Sequence, residues 1–234
     1  MKIFIKATLT MLFVSATLGY ASSVTVGSPD SGNCYPFMCN DSGTSTGVSL
    51  DYQEVFSSSY LASMSYASIY SISWTYFPGY GPAVVLGGNY AVYWGYSANG
   101  LALSSNLPSN YNGASNYLGT LNIPAGGENF GTTLTFSGFS PFVYNPADGD
   151  LLLEIVASNQ DNVPDTGSNG YNWADYTGVQ VNDAYCLTNV GCVPAGVQEG
   201  GLDTTFATPE PGSLLLLGTG ILGLAGLVRR KLKV

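Results

Sequence analysis

The chain has 234 residues, of which 15 are Asp or Glu, 6 are Lys or Arg and none is His, so its net charge is −9. All basic residues lie near the two ends, and the stretch between Ser22 and Thr208 contains no Lys, Arg or His. This middle region cannot neutralise phosphates, which excludes nucleic acid as a partner. The missing residue types also exclude Ser-His-Asp or Cys-His catalysis, Schiff bases and phosphate clamps.

The N-terminus has the pattern of a secretory signal. Lys2 and Lys6 flank a short, mostly apolar run, and Gly19 and Ala21 are small residues at the spacing that a signal peptidase accepts. We therefore expect residues 1–21 to be a signal peptide that is cleaved after Ala21. The alternative is a first core strand or helix of the mature domain, which the short apolar run and its basic flank disfavour.

The C-terminal region, residues 208–234, has the pattern of a membrane-sorting segment. A Pro-Glu-Pro motif precedes an uncharged Leu/Gly-rich run, which predicts a membrane helix over about 213–228, and then a basic tail at 229–233. This run is shorter than the about 20 apolar residues that cross a bilayer comfortably. The basic residues should stay in the cytoplasm, which leaves residues 22–207 outside. The alternative is a buried helix of a soluble domain, which the abrupt basic cluster disfavours.

This tail resembles the PEP-CTERM sorting signal. The residues that carry the resemblance are the sorting motif Pro209, Glu210 and Pro211 and the basic stop Arg229, Arg230 and Lys231. The resemblance implies an exosortase-type processing enzyme as a partner, a cut near the motif, and transit through the inner membrane of a Gram-negative-type bacterium. The mature protein is then expected at the cell surface or in the extracellular matrix, with exopolysaccharide as a further partner.

Four cysteines in the exported region form two local pairs, Cys34 with Cys39 and Cys186 with Cys192. An even number in an oxidising compartment predicts disulfides. Two local bridges are favoured because each pair spans a turn-like segment, although the sequence leaves the other connectivities open. The alternative is a metal site of four cysteines, which the wide spacings and the lack of His disfavour.

The exported segment, residues 22–207, predicts one all-β domain. Large residues alternate with small hydroxyl residues, as in residues 70–76, and Gly, Pro and Asn clusters separate such segments. Residues 151–156 are apolar on nearly both faces, which indicates a central strand. We expect an antiparallel two-sheet sandwich of jelly-roll type. Residues 52–56 and 141–155 also resemble a body domain found before many PEP-CTERM tails, for which no activity is described.

Acidic residues in predicted turns suggest calcium, which prefers hard oxygen ligands. The candidate ligands are Asp148, Asp150, Asp161 and Asp165. Their spacing is not that of an EF-hand. The alternative, which we favour, is that these residues accept hydrogen bonds from nearby backbone in ordinary turns. No other cofactor is expected.

Aromatic residues offer a candidate platform for sugar rings. Trp173, with Tyr171 and Tyr176, lies in a predicted loop that mixes aromatic and hydrogen-bonding side chains. The alternative is that Trp173 covers the core. Trp74 and Trp94 lie on apolar strand faces, and we expect both in the core.

Catalysis in such a chain would have to depend on carboxylates. The candidates for a glycoside hydrolase are Glu54, which interrupts an apolar strand face, Glu128 and Glu154, none of which lies in a recognisable motif. The hydrolase hypothesis fails if these residues are far apart or point into the core. We therefore expect a non-enzymatic exported protein, with a calcium-assisted carbohydrate-binding module as the alternative and a hydrolase as the third choice.

Overall fold

The computed structural model describes residues 23–37, 48–77, 84–161, 173–176, 181–187 and 197–208. The predicted signal peptide, membrane helix and basic tail lie outside the described residues. In the described parts of the chain, no helix is long and apolar enough to span a membrane. Residues Ser23–Ala207 form one compact unit.

The unit consists of β-strands with three short 3₁₀ helices in the described residues, at Ala62–Met64, Leu107–Asn110 and Pro146–Asp148. The strands, in chain order, are β1 (Ser23–Val26), β2 (Ser31–Asn33), β3 (Val48–Phe56), β4 (Ser68–Thr75), β5 (Val84–Val85), β6 (Gly88–Tyr96), β7 (Asn116–Ile123), β8 (Glu128–Asn129), β9 (Thr133–Val143), β10 (Leu151–Gln160), β11 (Trp173–Tyr176), β12 (Val181–Leu187), β13 (Val197–Glu199), β14 (Gly201–Leu202) and β15 (Thr204–Ala207).

The described strands form four antiparallel sheets, so the prediction of an all-β antiparallel domain is confirmed. The six-stranded sheet has the order β13-β12-β3-β10-β6-β7, and the four-stranded sheet has the order β1-β15-β4-β9. Two smaller sheets accompany them, one of three strands, β14-β11-β2, and one of two strands, β5-β8. The domain therefore has two more sheets than the predicted sandwich. Its jelly-roll connectivity stays a prediction.

The two large sheets pack together through their apolar faces. Phe56 on β3 and Phe206 on β15 meet edge to face, with ring centroids 5.0 Å apart. Trp94 on β6 stacks on Phe142 of β9 at 4.4 Å. Both contacts belong to the main hydrophobic core. Alternation puts these residues there, because every second side chain of a strand points to the same face.

Strand β10 is central, as its apolar sequence predicts. It pairs with β3 on one side and β6 on the other. Leu151 and Leu153 belong to the main core, whereas Leu152 lies on the opposite face in a second cluster with Leu103 and Leu107. The segment between β6 and β7 supplies those two leucines, so it covers the outer face of the six-stranded sheet.

A bulge in β4 interrupts the apolar face that the sequence predicts for this strand. Ile72 and Trp74 on β4 are buried, as expected, but Tyr70 is 39% exposed. The register of β4 against β9 shifts between Ile69 and Ser71. Such a bulge changes the face to which the following side chains point, so the prediction that Tyr70 shares the apolar face is wrong.

We predict that strand β15 is essential to the domain. It lies between β1 and β4, and Phe206 is fully buried. A chain that ends after Asp203 should fail to give a cooperative unfolding transition, because it loses two strand pairings and the Phe206 ring, whose removal alone costs about 3–5 kcal/mol. A chain that ends after Thr208 should keep the transition of the full chain. Equal transitions in circular dichroism for both truncations would contradict this role.

Candidate functional site

The predicted calcium ligands do not come together. Asp150 precedes and Asp161 follows β10, whose 10 residues span roughly 30 Å. Each acid instead accepts a hydrogen bond from a distant segment of backbone: Asp150 accepts the Ser58 N–H at 2.7 Å, and Asp161 accepts the Gly126 N–H at 2.6 Å.

The remaining calcium candidates complete this correction. Asp148 accepts a bond from the Asn145 amide at 3.0 Å at the start of the same turn, and Asp165 lies outside the described residues. In the described parts of the chain, no group of three or more Asp, Glu, Cys or His residues is placed to hold a metal ion. Asp148, Asp150 and Asp161 therefore do not form one calcium site in the described residues, and calcium binding by the domain stays a prediction. Only Asp148 bonds within its own turn, whereas Asp150 and Asp161 bond to distant backbone.

Trp173 is not a sugar platform. It is fully buried, and its ring packs on Phe37 with centroids 5.0 Å apart. Burial results from pairing, because β11 joins β2 on one side and β14 on the other. Tyr171 and the side chain of Tyr176 lie outside the described residues. Trp74 is buried, and the partly buried Trp94 packs against the main core, as expected.

The three candidate glutamates of a hydrolase are separated. Glu54 points into the interior and is fully buried. Glu154 is paired with Gln53, not with Glu54, so it faces the other side of the same sheet. Glu128 is exposed on β8, in the two-stranded sheet. These residues therefore do not form a carboxylate pair across a common substrate.

Cys34 and Cys186 are both disulfide-bonded. A sulfur in a disulfide is not available as a thiolate ligand, so the alternative of a four-cysteine metal site is wrong. Cys39 and Cys192 lie outside the described residues, and the two local bridges stay a prediction.

A polar network occupies the outer face of the six-stranded sheet. Glu154 accepts hydrogen bonds from the Gln53 amide at 2.6 Å and from the Tyr111 hydroxyl at 3.1 Å. The Asn110 amide in turn donates to Gln53 at 2.9 Å. Asn110 and Tyr111 belong to the segment that covers this face, so the network fastens that segment to β3 and β10.

Asp51 adds a second carboxyl to this network. Its pKa is raised from 3.8 to about 8, mainly by burial and then by the charge of Glu154 and a hydrogen bond between the two side chains. Two carboxyl groups that share a hydrogen bond need a proton between them. Burial also raises the pKa of the Tyr111 phenol, with Glu154 as the next cause. The network can therefore hold a proton at neutral pH.

A second group of carboxyls lies inside the domain. Glu54 on β3 and Asp183 on β12 are direct cross-strand partners, with exposures of 0% and 2%. Asp175 on β11 and Asp203, which is 4% exposed, lie near enough for their charges to raise the pKa of Glu54. The Tyr52 hydroxyl donates to Asp183 at 3.3 Å. We call Glu54, Asp175, Asp183 and Asp203 the acid cluster.

Glu54 is the least compensated member of the acid cluster. In the described residues, neither of its carboxyl oxygens has a hydrogen-bond partner of good geometry. Its pKa is raised well above the ordinary value, mainly by burial and then by the charges of Asp183 and Asp175. The nearby Leu202 backbone N–H lowers this pKa. A Cβ at Gly201 would collide with its Oε1, so glycine is required there.

Sequence reasoning missed both acid groups as sites, although it contained a signal for one. Glu54 interrupts the apolar face formed by Leu50, Tyr52 and Phe56, and Asp183 occupies the corresponding face of its partner strand. An acid on a core face predicts a buried carboxyl. The sequence does not show which strands pair, so it could not bring Asp175 and Asp203 to the same place.

Comparison with known proteins identifies the tail. Residues 207–231 match the family model of the PEP-CTERM protein-sorting motif. No curated protein and no solved structure matches the chain. The motif supports a PEP-CTERM protein, which is exported and sorted through processing by an exosortase. The match confirms the resemblance of Pro209–Pro211 and Arg229–Lys231, which lie outside the described residues, and it extends only over the tail.

We predict that stability falls as pH rises from about 4 to about 8. The raised pKa of Asp51 means that its contribution is complete below its ordinary pKa and is lost as pH rises through about 8. Asp51→Asn should flatten this slope when urea unfolding midpoints are measured across that range. Glu128→Gln, on exposed β8, is the matched control and should keep the wild-type slope. An unchanged slope in Asp51→Asn would show that the carboxyl pair is not proton-linked.

Proposed function

We propose that this protein is a non-enzymatic component of the bacterial cell surface or extracellular matrix, delivered and processed through its C-terminal signal. The observation that carries the proposal is the sorting motif at residues 207–231. Such a tail directs sorting, so the body domain is the part of the protein that is delivered. The acidic charge of the body supports a role in contact with cations or neutral polymers and disfavours binding to other polyanions.

The positions of the carboxylates support the non-enzymatic part of this proposal. Glu54 faces the core, and Glu154 is tied to Gln53 and Tyr111 on the opposite face of the sheet. A glycosidase needs two carboxyls on either side of one scissile bond. The Asp51–Glu154 pair shares a hydrogen bond, which leaves no space for a sugar between the two groups.

The end of the domain restricts where processing occurs. Strand β15 ends at Ala207, the residue at which the sorting motif begins, and Thr208 is 7% exposed. A cut before Ala207 would remove part of a strand that pairs on both sides. We propose that the processing site lies after Ala207, within or beyond Pro209–Pro211.

We predict that replacing Pro209, Glu210 and Pro211 with Ala stops processing. The unprocessed chain should stay in the inner-membrane fraction with an unchanged mass at its C-terminus, because the enzyme no longer recognises the motif. Thr219→Ala, in the tail but outside the Pro-Glu-Pro residues, should be processed normally. Release of the triple variant at the wild-type level, measured by fractionation and immunoblotting, would contradict the proposal.

Sugar binding is a second candidate, and one observation favours it. Tyr117 on β7 is 58% exposed, and its ring lies beside Tyr93 of β6 with centroids 5.3 Å apart. Two neighbouring tyrosines offer an apolar surface and hydroxyl groups, a combination that suits a sugar ring.

We predict that Tyr117→Ala weakens binding of the producing cell's exopolysaccharide by at least about tenfold, or 1.4 kcal/mol. Tyr66, which is 71% exposed in a different turn, provides the control Tyr66→Ala. Titration calorimetry should show a loss for the first variant only. An equal affinity in both variants and wild type would remove this candidate.

A further inference from the structure

We propose that the acid cluster is a proton-held latch, which keeps the three-stranded sheet closed on the six-stranded sheet and opens when its carboxyls ionise. The six-stranded sheet contributes Glu54 and Asp183, which face each other across the β3–β12 pair. The three-stranded sheet contributes Asp175 from β11. Asp203 lies in the link from β14 to β15, where its backbone bonds to Ala174 and Thr75.

The latch follows from a lack of counter-charge. Residues 23–207 contain no Lys, Arg or His, so no side chain of the domain can neutralise a buried carboxylate. Burying an unpaired charge is very costly, and such groups become neutral instead. In the described residues no group of acids is placed to hold a metal ion. Protonation of the acid cluster therefore keeps the two sheets in contact, and each carboxyl that ionises repels its neighbours.

The described elements packed around Glu54 supply no positive charge. Strand β10 places the apolar Leu153 opposite Glu54, and β3 itself places Tyr52 on the same face. Strand β12 adds Tyr185 beside Asp183, and Tyr35 stacks on Tyr185 at 4.3 Å. Every titratable side chain on these elements is therefore an acid or a phenol, and each becomes negative when it titrates.

Opening should be local to the three-stranded sheet. Strand β14 meets Glu54 through Gly201 and Leu202, which are also where β14 pairs with β11. Charging the acid cluster therefore acts directly on the β11–β14 pair. Trp173, which is fully buried on β11, would gain access to solvent as the pair separates. Strand β10 lies in the middle of the large sheet and should stay closed.

Hydrogen exchange of the full chain tests the latch. The exchange is carried out at pH values between about 5 and 9 and is measured by mass spectrometry. Protection of residues 173–176 and 201–202 should fall by at least about tenfold across this range, the effect of one pKa unit. Protection of residues 151–160 should fall less than that of these two segments, because the central strand exchanges through global unfolding. Glu54→Gln, which cannot ionise, should keep the first two segments protected at alkaline pH. Asp183→Asn provides a second test if the Gln variant does not fold.

Two control variants separate the latch from other sources of pH dependence. Asp51→Asn removes the carboxyl on the opposite face and should leave the opening of residues 173–176 unchanged. Glu128→Gln should also behave as wild type. The proposal is overturned if wild-type protection of these segments does not depend on pH, or if neither Glu54→Gln nor Asp183→Asn changes the opening. Restored protection in millimolar calcium at alkaline pH would also overturn it, because a cation would then be the native partner of the acids.

Discussion

Glu54 lies in the interior of a domain that contains no cation of its own, and this constraint shapes the rest of the structure. The carboxyl faces Asp183 across the β3–β12 pair, and Gly201 leaves the space that its Oε1 occupies. Because nothing basic lies between Ser22 and Thr208, the ordinary solution of a buried ion pair is not available. Neutral carboxyls must therefore maintain the contact between two sheets, which ties the packing of the domain to pH.

The same chemistry recurs on the outer face of the large sheet, with a different result. Asp51 and Glu154 share a hydrogen bond there, and Gln53 and Tyr111 satisfy the remaining capacity of Glu154. Glu154 is satisfied in this network, although Asp51 Oδ1 has no hydrogen-bond partner in the described residues, and the network fastens the segment between β6 and β7. The acid cluster is compensated less well, since Glu54 has no hydrogen-bond partner of good geometry in the described residues. A fully hydrogen-bonded buried network stabilises one arrangement, whereas each unpaired group in a partly bonded one costs free energy.

How much the sequence predicts depends on whether a feature is local. The alternation around Ile72 and Trp74 and the apolar run of β10 predicted strands and their buried faces, because the period of two is a property of each strand alone. The turn role of Asp148 was also foreseeable. Burial of Trp173 was not, since it depends on pairing of β11 with β2 and β14. The acid cluster needs contacts between strands more than 100 residues apart, such as the one from Tyr52 to Asp183, and no local pattern encodes them.

The body domain and the sorting tail are directly adjacent in sequence, since the sorting motif begins at the last residue of β15. Processing can remove the tail without shortening β15 only if the cut falls after Ala207. The most direct test is the mass of the C-terminal peptide of the mature protein recovered from the cell surface or the medium. The account predicts a C-terminus at or shortly after Pro209–Pro211. A mature protein that still ends at Val234 would contradict it.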